Sequence, residues 1–439
     1  MQLKKLAVKN FRNLLDFTIS FDSRLTVLVA NNSAGKTSIL DAIAIVFGSY
    51  IGNFPTEKNN GFKFTDATIR NKGDEPEYPV TVNADILLVE YDRNYINIER
   101  ELSSKGSRTT VANAKELQNF AKKNYEKLRN KEDVKLPMIA YYGTGRLFKE
   151  TKSLKAKYEK EQSARSYGYH NCLNPNSNYK EFREWFKEQS QIEINYIRKS
   201  LQSNSDIDIS KAPNAKTLNS VRQSVNVVLK HLDWKDLNFN GEELVVQNSN
   251  GIDIAVDSLS DGVKNMLTLV ADIAYRCVKL NPHLANPIKE TQGIILIDEI
   301  EMHLHPSWQQ RVISDLTNLF ENTQFIITTH SPQVLSSVHN SNIRTIDPNL
   351  EEAIIPNINP YGKQSIVALE DVMYVSSTPP KDVVKEIEIL EKYYEIIQNG
   401  DINNPKLKEM REILDKTYGE NYSKLLIADM LINKYKAKV

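Results

Sequence analysis

Apolar and polar positions alternate from Leu3 through Leu6 to Val8, the period of a half-buried strand. LTVLVA, Leu25 to Ala30, is apolar throughout and predicts a buried strand that runs into a polar turn. From Thr37 onward SILDAIAIVFG has helical length and apolar residues on several faces, so the local order is strand, loop, helix. VTVNADILLVE and YINIERE predict strands of an antiparallel layer, Asn113 to Lys131 a charged surface helix, and LPMIAYYGTGR a further strand and turn. Residues 150 to 235 are polar, with helical stretches at YKEFREWFKEQSQIEINYIRK and TLNSVRQSVNVVLKHL, and read as an inserted helical lobe. Its heptads are too short and irregular for a long coiled-coil arm. Strand patterning returns at DLNFNGEELVVQNSNGIDIAVDSLSDG, with turns at Asn240-Gly241 and Asn250-Gly251. GIILIDE and TQFIITTH are almost wholly apolar, as parallel strands covered on both faces are. Past Pro332 a new segment closes with helices at VVKEIEILEKYYEIIQNG and KLKEMREILDKTYG. The predicted organisation is an α/β domain in two halves, 1–150 and 236–345, separated by the lobe at 151–235 and followed by a helical region at 346–439 for assembly or partner docking.

Composition narrows the picture without deciding it. At 439 residues, 40% hydrophobic and 26% charged, the chain reads as a folded protein of two domains, or of one domain with lobes. Its 56 basic and 56 acidic side chains cancel, so it lacks the global field of a dedicated nucleic-acid binder, though a local basic patch is compatible with that balance. Cys172 and Cys277 lie far apart without CxxC spacing, which fits a reducing compartment and gives no metal framework. The opening MQLKKLAVKNFRNL alternates, and no stretch reaches the ~18 apolar residues of a membrane span. A cytoplasmic location without membrane contact is expected.

Candidate chemistry begins at ANNSAGKTS, Ala30 to Ser38, which follows the phosphate-loop pattern GxxxxGK[ST] except that Ala30 stands at the first glycine. Backbone amides from Ser33 to Thr37 are expected to face phosphate oxygens from a helix N-terminus. Lys36 would reach the β and γ oxygens and Thr37 would hold Mg²⁺, with Asn32, Ala34, Gly35 and Ser38 completing the cradle. An ordinary polar turn is the plain alternative; the flanking strand and helix argue against it. GIILIDEIEMHLHP ends a strand in two acids: Asp298 is expected at Mg²⁺, Glu299 at the attacking water. Glu301, His303 and His305 could be misread as a zinc cluster, but the set lacks the remaining ligands. LSDGVKN, Leu259 to Asn265, opens a helical run where Ser260 and Gly262 could cradle an anion, although Ser260 with Asp261 would serve equally as a plain N-cap. TTHSP puts His330 at the end of the next strand, positioned to sense a γ-phosphate.

Taken in this order, phosphate loop, LSDG helix, acidic strand and TTHSP resemble the ABC-ATPase heads of the RecF and SMC type. The resemblance implies that Ser260 and Gly262 of one protomer close on ATP held by the other, so that the site needs a homodimer or higher homo-oligomer. KNFRNL extends the likeness, with Arg12 and Asn13 matching residues that family places near the adenine and ribose. YYGTGR, DEIEMHLHPSWQQ and PYGKQSIVALEDVMYV resemble the PtuA-type ATPases of Septu and certain retron anti-phage systems, which implies a partner HNH nuclease of the PtuB kind and a nucleic acid, DNA, RNA or retron msDNA, as the object of defence. The fold so implied is an ABC-ATPase head, RecF/SMC-like, with an antiparallel N-terminal layer, the inserted lobe and a C-terminal helical region.

Departures matter equally. No glutamine occurs between Thr37 and Gln118, where ABC heads place their Q-loop residue; Asp66 and Arg70 are the local substitutes considered, beside an ordinary surface loop. LSDGVK replaces LSGGQ and sets an acid beside phosphate, which points to slow or conditional hydrolysis. No acidic cluster of the two-metal nuclease kind follows the ATPase segments, so the chain is expected to hydrolyse ATP and to leave nucleic-acid cleavage to its partner. Two other classes compete. A RecF-type repair ATPase acting on DNA without a nuclease would predict long arms or a basic groove, and a transporter motor would need a Q-loop to couple to its membrane subunit.

Overall fold

The computed structural model describes the whole chain except residues 56–63, 66–67, 73–74, 89–93, 108, 111, 147–163, 177–178, 204–206, 232–233, 381–383 and 437–439. Asp66, one of the two considered Q-loop substitutes, lies outside the described residues, as does much of the start of the predicted lobe. The described residues form two compact units, Met1–Met373 and Tyr374–Val439.

The wholly apolar runs pair as their pattern requires. Five strands lie in the order Ile343–Thr345, Leu25–Val29, Thr323–Thr328, Gly293–Ile297 and Met138–Tyr142, every neighbouring pair parallel. Gly293–Ile297, Thr323–Thr328 and Met138–Tyr142 are buried at every position, because a parallel sheet is covered on both faces. The alternating runs build a separate antiparallel sheet, ordered Leu14–Ser20, Gln2–Phe11, Val80–Leu88 and Asn94–Leu102. Along Val80–Leu88 every second residue is buried, which gives that sheet one face for the core and one for solvent.

The helix Lys36–Ile51 packs against strands of both sheets. Its lack of a polar face follows from this: Ile39, Leu40, Ile43, Val46, Phe47 and Tyr50 are all buried because the helix is covered from more than one side. Sandwiching it fixes its N-terminus at the C-terminal edge of the parallel strands, where open α/β sheets bind ligands.

The helices Lys180–Gln202 and Ala215–His231 belong to the same hydrophobic core as the sheets, through Phe182, Phe186, Leu218, Val221, Val225 and Val228. Ala215–His231 packs along the helix Asp261–Leu280 and the strand Trp234–Phe239. Residues 346–373 fall within the first unit, so the compact units divide at Tyr374. The second unit holds the helices Glu386–Gln398, Lys406–Tyr418 and Ser423–Lys436 around a small core of Leu390, Tyr393, Ile397, Leu407, Leu414 and Leu425. Among the described residues no helix is long and apolar enough to cross a membrane.

Candidate nucleotide site

The strand Leu25–Val29 ends in Ala30 and the chain wraps into the turn predicted from ANNSAGKTS. Gly35, at φ 108°, takes a left-handed conformation and starts the helix at Lys36. A side chain there would also press on Asn13, since a Cβ would lie 3.1 Å from its Oδ1. Lys36 Nζ donates to the carbonyls of Ala30 at 2.9 Å and Asn31 at 3.3 Å, so the ammonium sits inside the curl of the loop. Burial lowers the lysine's pKa, opposed by the negative field of Asp298, Glu299 and Glu301.

A short relay joins the loop to the acidic strand end. Thr37 Oγ1 donates to Asp298 Oδ2 at 2.9 Å, and Thr328 Oγ1 donates to Asp298 Oδ1 at 2.6 Å. Asp298 is therefore held from the phosphate-loop helix on one side and from the neighbouring parallel strand on the other. Glu299 follows in a left-handed conformation, φ 47°, with its amide donating to Thr328 Oγ1 at 2.8 Å. Such a backbone is unusual for a residue bearing a side chain and is common where a site demands it. Glu301 accepts from Thr329 Oγ1 at 2.8 Å and from the His330 amide at 2.5 Å, so it braces the turn carrying His330. His305 Nδ1 accepts from the Ser307 amide at 3.3 Å and caps the short helix Pro306–Gln309. The His330 ring is lowered in pKa, first by burial and then by the nearby Lys36 charge, against the pull of Glu301, Glu299 and Asp298.

These elements enclose a cleft of about 260 Å³ lined by Arg12, Asn32, Ser33, Gly35, Lys36, Thr37, Ser38, Asp298, Glu299 and His330. Asn13 and Ala34 support it from behind: Asn13 Nδ2 donates to the Ser33 carbonyl at 2.6 Å, and Ala34 is buried. Arg12 pairs with Asp41 on the phosphate-loop helix. Burial raises the Asp41 pKa, and the Arg12 charge and the Tyr141 hydroxyl, 3.0 Å away, work against that rise. Arg70 donates to the Asn13 carbonyl at 2.8 Å and pairs with Glu77, which makes it a support of the Arg12-Asn13 turn.

Ser260 and Gly262 do not line this cleft. Ser260 is exposed and caps the helix Asp261–Leu280 by backbone conformation, without a side-chain hydrogen bond to the helix. Gly262 is buried, and a Cβ there would lie 2.3 Å from the His303 carbonyl oxygen. The glycine is thus required by close packing of the helix tip on the turn after Glu299.

Sequence reasoning missed three contributors. Arg146, within YYGTGR, is fully buried and donates to the Asp298 carbonyl at 2.8 Å and the Glu299 carbonyl at 3.1 Å. Thr328 grips Asp298, and Glu301 braces His330 instead of standing with the neighbouring histidines. A single cation just past the apolar run LPMIAYY was the available signal for Arg146, because a cation drawn into a core must find carbonyls or a carboxylate there.

The oxygen set suits the expected cation: the Thr37 hydroxyl and Asp298 carboxylate are hard oxygens of the kind Mg²⁺ takes alongside phosphates and water.

The family model described as AAA ATPase domain matches residues 1–335. A Vibrio cholerae protein called retron Vc95 probable ATPase is 28% identical to this chain, across 94% of the chain and 86% of that protein. The Escherichia coli retron Ec83 probable ATPase is 27% identical, across 97% of the chain and 85% of its own length. The Septu protein PtuA of Bacillus mycoides is 25% identical across 94% of the chain, which spans 50% of that longer protein.

Proposed function

The chain belongs to the AAA ATPase domain family, and from that premise we propose that it is the ATP-binding and ATP-hydrolysing subunit of an anti-phage defence complex of the retron and Septu kind. The observation that carries this reading is the joined Thr37–Asp298–Thr328 relay, with Lys36, Glu299 and His330 on the same cleft. A loop that presents helix-terminal amides and an ammonium to an anion, beside a carboxylate pair at a strand end, is equipped for phosphoryl transfer to water.

In this reading Ser33 to Ser38, Lys36 among them, bind the triphosphate, and Arg12 flanks the nucleoside while Asn13 holds the Ser33 carbonyl from behind the cleft. Thr37 and Asp298 would hold Mg²⁺, whose charge would offset that of the phosphates. Glu299 orients the attacking water and takes its proton; His330, its pKa lowered by burial and then by Lys36, donates one hydrogen bond to the γ-phosphate. Ser260 and the N-terminal amides of its helix supply the remaining anion contacts from a second copy arranged head to tail, because the one-chain cleft lacks them. Nucleotide occupancy then switches a partner HNH nuclease of the PtuB kind acting on nucleic acid, with all of this in the cytoplasm. A multi-subunit system is supported by the likeness to Septu PtuA over most of the chain, and the HNH kind of partner by the phrases YYGTGR, DEIEMHLHPSWQQ and PYGKQSIVALEDVMYV.

The test is the mass of the purified protein with and without ATP, alone and co-expressed with its neighbouring gene product, for the wild type and Glu299→Gln. A nucleotide-sensitive complex with a small HNH protein is expected. An ATP-dependent dimer without any partner would leave the nucleotide site standing and refute the defence assembly, in favour of a stand-alone ATPase of the RecF type.

A further inference from the structure

Arg146 connects two places that the proposed function assigns to different nucleotide sites. Its side chain is completely buried, so its donors must be met by protein. One edge of the guanidinium reaches the backbone of the acidic strand end: Nη1 to the Asp298 carbonyl at 2.8 Å, Nη2 to the Glu299 carbonyl at 3.1 Å. Nη1 also meets the Gly143 carbonyl at 2.9 Å. The other edge, Nε, donates to Asn265 Oδ1 at 2.9 Å. Asn265 stands one turn into the helix that Ser260 caps, and its own Nδ2 donates to the Met302 carbonyl at 2.8 Å.

The turn between those two anchors has little freedom. Glu299 and His303 both hold left-handed backbones, φ 47° and 64°. The Met302 amide closes the turn on the Glu299 carbonyl at 3.1 Å, and Gly262 leaves no room for a side chain against His303. A planar fork fixed at both edges transmits position, which a flexible single-point cation would not.

We propose that Arg146 and Asn265 are positioning residues that tie the Ser260 helix to the backbone of Glu299, so that closure of this helix on a partner's nucleotide sets the water-activating residue of the chain's own site. The inference rests on the head-to-tail reading above. Through it, each site reports its occupancy to the other, and hydrolysis depends on ATP cooperatively although neither residue touches nucleotide.

The experiment measures ATP-dependent dimerisation, affinity for a non-hydrolysable ATP analogue, and the ATP dependence of phosphate release, in the wild type, Asn265→Ala, Asn265→Asp and Arg146→Lys. Wild type should dimerise with ATP and hydrolyse it with a Hill coefficient above 1. Asn265→Ala should keep its melting temperature to within a few degrees and its analogue affinity to within about 3-fold. Its kcat should fall about 10-fold and its Hill coefficient should approach 1. Asn265→Asp keeps the acceptor for Arg146 but loses the Nδ2 donor to the Met302 carbonyl, so it should recover kcat only in part. Arg146→Lys should behave as Asn265→Ala, because an ammonium cannot span both edges. Unchanged cooperativity in Asn265→Ala, or a kcat loss that only follows lost folding or lost affinity, overturns the tie. A wild type that binds ATP but stays monomeric overturns the two-copy reading, and the tie with it.

Discussion

In the nucleotide cleft the polar side chains already hold one another: Thr37 and Thr328 grip Asp298, Lys36 lies against Ala30 and Asn31, and Asn13 secures the Ser33 carbonyl. At the tip of the Asp261–Leu280 helix the opposite holds. Ser260 and Asp261 are exposed and the helix start is capped by backbone conformation alone, with Gly262 the first residue packed in place, against His303. Preorganised donors in a partly enclosed cleft interact strongly with a charged ligand, whereas a bare helix end gains little until something excludes water from it. On the proposed function the contrast separates binding, which depends on the cleft, from reaction, which depends on what covers the helix tip.

The largest effect that would sharpen this contrast is expected from Glu299→Gln. Phosphate release should fall by about 10² to 10⁴-fold, the range for losing a general base, while ATP binding persists. Equal loss of both would mean that Glu299 holds the site together and does not act on water. Next comes Lys36→Ala, which removes a charge-assisted contact to phosphate and should weaken ATP affinity by roughly 10 to 100-fold by isothermal titration calorimetry.

Ser260→Arg addresses the other half. It should leave the affinity of the lone chain within about 3-fold and cut hydrolysis by about 10-fold or more, because a single transition-state donor group carries at least that much. Mixed dimers with Lys36→Ala on one copy and Ser260→Arg on the other should retain one complete site, hydrolysing about 10-fold more slowly because its Glu299 sits on the copy whose own Ser260 helix faces no nucleotide; loss of all hydrolysis would break the division between the halves.

The smallest effect concerns acidity. His330 has a lowered pKa in the folded chain, so the unfolded chain binds more protons as the pH drops through about 6.5. The histidine's contribution is therefore intact above that value and is lost as the pH falls toward the folded pKa. Hydrolysis should decline on the acid side by a few-fold, and His330→Gln should flatten that limb of the profile. An unchanged profile would remove His330 from the reaction.

How far each half was legible follows from how its signal is written. ANNSAGKTS, GIILIDE and TTHSP are local: a strand, a turn and the next residues carry the chemistry, and the structure gathers Lys36, Thr37, Asp298, Glu299 and His330 around one cleft. The parallel and antiparallel sheets were legible for the same reason, since covered strands must be apolar throughout and half-covered ones must alternate. Arg146 and Glu301 were not, because their partners lie on other elements: Asn265 and Asp298 for one, Thr329 and the His330 amide for the other. Nor did polar composition reveal that the helices Lys180–Gln202 and Ala215–His231 share the main core. A few positions such as Phe182, Phe186, Leu218 and Val221 suffice to bury one stripe beneath a charged surface.

By itself the sequence determined the strand, turn and helix around ANNSAGKTS, the acidic strand end and the order of elements between them, because periodicity and turn chemistry act over a few residues. Only the tertiary structure decided that Gly262 answers to the His303 carbonyl, that Arg12 pairs with Asp41, and that one buried guanidinium spans Asn265 and the Asp298-Glu299 backbone. Those contacts join residues distant along the chain, and the burial that gives them their strength exists only once the core has closed around them.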